Sequence, residues 1–145
     1  MFRASGRVPE FWDPNSGERE ATAWFEASDG RTRVPVALDA GGSVFVVFRE
    51  AAKGPSVARV LKDGAPVGAG PGKPCPVRVR CGADGGTALL AAEPGRYTLV
   101  QTDGNKSTID VALPAPIPVA APWTVTFPAV RGAPPKPIAL PDLIS

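Results

Sequence analysis

Proline and glycine interrupt this chain every few residues, and no segment between them carries an apolar period of 3.6. With 18 Pro and 16 Gly in 145 residues, the composition approaches that of disordered chains. Here, however, the breakers stand between short apolar runs instead of forming low complexity, which is the pattern of a many-stranded β domain. The expected fold class is therefore all-β, built of β-sandwich segments of immunoglobulin-like or jelly-roll-like type. No internal repeat is evident.

The turn signals set the expected strands. Asp13-Pro14-Asn15-Ser16-Gly17 is a turn cluster, and Asp29-Gly30 is a strong hairpin signal. They bracket an expected strand at 21–27 with Trp24 and Phe25. A second runs from Arg31 to Leu38, with Val34, Val36 and Leu38 on one face. Val44-Phe45-Val46-Val47-Phe48 is apolar at every position, so it asks for cover on both faces. Residues 1–50 thus read as the terminal strands of an incomplete sandwich, poorly stable alone. Residues 51–56 read as a linker. Residues 57–113 read as a small sandwich of about five strands at the spacing such folds use, and as the core that proteolysis should spare. Residues 114–122 form a stiff Pro-rich connector, and Trp123 to Phe127 alternates like a strand with one buried face.

Charge says little about partners. Sixteen basic and fourteen acidic residues leave a net +2, with no basic stripe for nucleic acid. No apolar run is long enough to span a bilayer, and the first residues lack the apolar stretch of a signal peptide. Histidine is absent, which removes Ser-His-Asp and Cys-His schemes and any His-ligated metal. If the chain between Cys75 and Cys81 is extended, their sulfurs stand about 20 Å apart at roughly 3.3 Å per residue. A disulfide needs Cα atoms within about 7 Å, so two free thiols are expected. No cofactor and no metal site are expected.

The acids mostly sit in Pro/Gly turns (Asp13, Asp29, Asp63, Asp84, Asp103), where Asp bonds nearby backbone amides. Glu10, Glu18, Glu20 and Glu26 cluster in sequence, but the paired carboxylates of a glycosidase must stand roughly 5–10 Å apart in space. No catalytic residue is assigned. Residues 13–18 lack the ligand order of a calcium loop. Gly68 to Lys73 lacks the ending and the helix of a phosphate loop. Trp12 and Trp24 flank turns and are the candidate carbohydrate contacts, with core or interface packing as the alternative.

Three blocks resemble a known group. They are Phe11-Trp12-Asp13-Pro14-Asn15-Ser16-Gly17-Glu18, then Asp29 to Val36 with Gly42 to Arg49, then Pro122 to Pro128 with Arg131 to Pro134 and Leu140 to Ser145. Together they resemble non-catalytic C-terminal β-domains of α-L-rhamnosidase-like enzymes, glycoside hydrolase family 106 and relatives. The resemblance covers residues 2–50 and 114–145 and is weaker between. It implies that 114–145 leads into a galactose-binding-like domain. It implies a larger, usually exported parent that hydrolyses deoxyhexose linkages in polysaccharides, with its catalytic carboxylates in a separate barrel. This chain alone would be inactive and would brace the catalytic and sugar-binding domains. Its partners would be the remaining domains of the parent and a polysaccharide. The alternative is a stand-alone carbohydrate-binding or adhesion module.

Overall fold

A computed structural model describes residues 1–68, 75–82, 85–118, 121–128 and 132–141. The described residues form strands, turns and irregular backbone, with no helix among them. The chain is all-β and divides into two compact units, Met1–Leu113 and Pro114–Ser145.

In the first unit, β1 (Arg7–Trp12) is the centre of a three-stranded antiparallel sheet. Its neighbours are β2 (Arg19–Ala21) and β5 (Phe45–Ala51). Between them, β3 (Glu26–Ser28) and β4 (Arg31–Arg33) make a hairpin. Its two-residue turn has φ of 50° at Asp29 and 71° at Gly30, the positive pair that a right-twisted hairpin requires. The strand expected from Ala21 to Ala27 is broken. Ala23, Trp24 and Phe25 are all buried in succession, so this stretch crosses the interior instead of alternating. The expected strand to Leu38 stops at Arg33, because Pro35 has no amide to give a ladder.

A four-stranded sheet follows in the order β11-β10-β6-β7. Its strands are β6 (Val57–Lys62), β7 (Ala65–Val67), β10 (Gly95–Gln101) and β11 (Lys106–Val111). The hairpin of β8 (Val77–Cys81) and β9 (Thr87–Ala91) supplies the other layer. Val57, Val60, Tyr97 and Leu99 from the sheet meet Val77 and Val79 in one core, a small sandwich. Ala23 and Trp24 belong to that same core. The Ala23 amide donates to the Val79 carbonyl at 3.0 Å, and the Val57 amide donates to the Ala23 carbonyl at 2.7 Å.

Sequence patterning placed a linker at 51–56, but Ser56 is buried there. Its hydroxyl donates to the Phe25 carbonyl at 2.7 Å, and the Thr102 amide donates to the Ser56 carbonyl at 2.8 Å. Residues 1–50 and 57–113 thus share one core in this structure. Strand β7 pairs with β6, and residues 69–74, which hold most of the Gly68 to Lys73 stretch, lie outside the described residues. Among the described residues every buried side-chain N or O atom has a hydrogen-bond partner.

In the second unit, β12 (Trp123–Val125) pairs antiparallel with β13 (Ile138–Leu140), so Trp123 stands opposite Leu140. The strand expected to reach Phe127 ends at Val125, and Phe127 is exposed. Residues 129–131 and 142–145, parts of the third resemblance block, lie outside the described residues.

Candidate functional site

The two faces of the β2-β1-β5 sheet carry different chemistry. Side chains alternate along a strand, so register sorts them. Trp12 pairs with Arg19 on one side and Phe45 on the other. One face therefore carries the row Arg19, Trp12, Phe45, followed by Glu10 and Val47. The turn over residues 13–18 fixes this row. The Asp13 carboxylate accepts the Asn15 and Ser16 amides at 2.7 and 3.1 Å, and the Asp13 amide donates to the Glu18 carbonyl at 2.9 Å.

Among the described residues Glu10 is the one buried charged residue, 5% exposed, and it ties the face together. Its Oε1 accepts from Arg49 Nε at 3.2 Å. Its Oε2 accepts from Arg49 Nη2 at 2.8 Å and from the Trp12 indole at 3.0 Å. The Arg49 and Trp12 hydrogen bonds hold the Glu10 carboxyl below its usual range. The guanidiniums of Arg19 and Arg49 lie 4.2 and 5.1 Å from the indole centroid, both at cation–π range.

The opposite side of the sheet contributes Phe11 and Glu20 to a groove of about 300 Å³. Trp24, Leu38 and Val44 give it apolar walls, and Asp13, Glu18 and Asp39 add carboxylates against Arg78. The two expected sugar contacts are therefore not brought together. Trp12 is half-buried beneath arginines on one face. Trp24, 7% exposed, is a core residue whose edge borders the groove behind it. Arg19, Arg49 and Phe45 were not singled out by sequence reasoning. The turn length between Trp12 and Arg19 was the available signal, since a hairpin through it sets them opposite.

A glycosidase acid needs a raised carboxyl pKa. Among the described residues the carboxyls with a clear shift are Glu10, Asp13 and Asp110, and all three move down. Arg49 holds Glu10, backbone amides hold Asp13, and Arg96 holds Asp110 at 2.8 Å. In the groove, Glu20 stands 3.9 Å from Arg80. Cys75 and Cys81 are free thiols.

Over 53 residues, 36% of its length, the chain is 40% identical to a protein of Formosa agariphila described as "Putative beta-glucuronidase". The chain's match spans 5% of that protein. The likeness is thus to a glycoside hydrolase, without singling out a family within that class. No protein-family model matches the chain. No solved structure matches it.

Proposed function

We propose that this chain is a non-catalytic β-sandwich segment of a polysaccharide-degrading glycoside hydrolase, bracing the domain that cuts against domains that hold the sugar. The observation that carries the reading is the 40% identity to a stretch of a named hydrolase. The downward-shifted carboxyls support a structural part: Glu10, Asp13 and Asp110 are engaged by arginine or backbone, and none is kept protonated as a general acid. The α-L-rhamnosidase-like blocks and the beta-glucuronidase relative agree on a parent that removes sugar units. They differ on which sugar.

The test is turnover of 4-nitrophenyl α-L-rhamnoside and 4-nitrophenyl β-D-glucuronide by the purified chain, alone and fused to its neighbouring coding sequence. The expected result is no release of nitrophenol by the chain and release by the extended protein. Turnover by the chain alone, abolished by Glu20→Gln or Asp39→Asn in the groove, would sink the proposal.

The face bearing Arg19, Trp12 and Phe45 favours a second reading, an independent carbohydrate-binding module. Phe45 is 62% exposed on the edge strand of its sheet, where its ring can meet a sugar ring.

A further inference from the structure

We infer that the open face of the β2-β1-β5 sheet is a binding surface for an acidic polysaccharide, with Arg19 as the contact for a uronate carboxylate. This goes beyond the place proposed for the chain in its parent, and it holds or fails on its own.

The first observation is a difference between two arginines. Arg49 is engaged: its fork meets both oxygens of Glu10. Arg19 has no carboxylate within ion-pair distance among the described residues. Its guanidinium instead lies over the Trp12 ring, 4.2 Å from the ring centre. A guanidinium seated over a ring face spends no N–H donor on that contact, so its fork can still meet a carboxylate two bonds at a time.

The second observation is an exposed aromatic on the same face. Register puts Phe45 on the far side of Trp12 from Arg19, two strand spacings or about 10 Å across. Phe45 is 62% exposed although it begins a strand that is apolar at most positions. β5 is the edge of its sheet. An exposed aromatic about 10 Å across the sheet from Arg19 matches a polymer with apolar ring faces and regularly spaced carboxylates.

The third observation is how charge divides. The face carries two guanidiniums against Glu10, whose carboxylate is buried and already used. The groove behind the sheet carries Asp13, Glu18, Glu20 and Asp39 against Arg78. An anionic polymer is attracted to the first and repelled by the second. The choice of side is built into the alternation of residues 18 to 20, Glu-Arg-Glu.

The experiment is affinity electrophoresis of the whole chain through gels holding polygalacturonate or a neutral galactomannan, at low and at moderate salt. Polygalacturonate should retard the chain, less so as salt rises, and galactomannan should not. Arg19→Glu should weaken retardation about tenfold, the loss of one charge-assisted contact. Phe45→Ala should weaken it less. Both side chains are exposed, so both variants should keep the parent's circular dichroism and melting temperature. Arg33→Glu, an exposed arginine of the β3-β4 hairpin, controls for net charge and should behave like wild type. Equal retardation of Arg19→Glu and wild type, or equal retardation by the two polymers, would overturn the inference. So would no retardation together with self-association that Arg19→Glu abolishes, which would make this face a protein interface.

Discussion

Glu10 shows how one residue sets the character of a surface. A carboxylate at 5% exposure needs partners, and it has three donors: two nitrogens of Arg49 and the Trp12 indole. These bonds stabilise the charged form, so the folded pKa lies below the ordinary glutamate value. A depressed carboxyl pKa gives stability that is present above the unfolded pKa and is lost as pH falls through the folded one. Glu10→Gln should cost about 1–2 kcal/mol at pH 7, with Arg49 half exposed limiting the loss. That difference should shrink as pH falls below about 4. Urea melts of both proteins from pH 7 to pH 3 check it; a gap that stays constant with pH would mean that the charge of Glu10 is not what holds the site. None of this was legible in the sequence. Glu10, Glu18 and Glu20 look alike there, and only the pairing of β1 with β5 brings Arg49 to Glu10. Trp12 was legible as a residue worth watching, but its arginine cover comes from two other strands.

At the scale of elements, turns were legible and crossings were not. Asp29-Gly30 and Asp63-Gly64 both turn with positive φ at both positions, as their residue types require. The strands they join, β3-β4 and β6-β7, follow from them. The strand expected at 21–27 contains Trp24 and Phe25, residue types that favour strands. In the structure the Thr22 hydroxyl donates to the Val79 carbonyl at 2.8 Å and accepts the Trp24 amide at 3.1 Å. That exchange with a distant strand has no local signal. Gly95 is a case where geometry is exacting. It has φ of 146°, and an added Cβ would meet Asp63 Oδ2 and Lys62 Cε at 3.0 Å. Asp63 cannot easily give way, because its Oδ1 accepts the Arg96 amide at 2.9 Å and its own amide donates to the Arg96 carbonyl at 2.8 Å. Gly95→Ala should therefore destabilise the β6-β10 pairing by about 1–3 kcal/mol. A thermal melt indistinguishable from wild type would show that the backbone relaxes there at no cost.

For the whole molecule, the question is how many cooperative units the chain contains. Among the described residues, every member of the principal core, and every partly buried residue packed on it, lies before Pro114. A chain ending at Leu113 should therefore fold and melt within about 2–4 °C of the full chain, the shift that about 0.5 kcal/mol gives a domain of this size. A collapse of its melting temperature would mean that residues after 113 complete that core. Inside Met1–Leu113, composition and turn spacing suggested a seam at 51–56, because a run of Ala, Lys, Gly, Pro and Ser has the chemistry of a linker. A seam in composition is not a seam in packing. Ala23 and Trp24 contribute to a core whose other members begin at Val57. Trp24→Ala tests this directly. Removing a buried indole should cost about 3–5 kcal/mol. If the unit is one cooperative body, amide protons of Leu99 and Val100 in β10, far along the chain, should exchange faster by a common factor with those of β1. If the two halves instead unfold separately, the substitution should speed exchange in residues 1–50 while β10 and β11 keep their protection. Hydrogen exchange of the two proteins by NMR separates these outcomes.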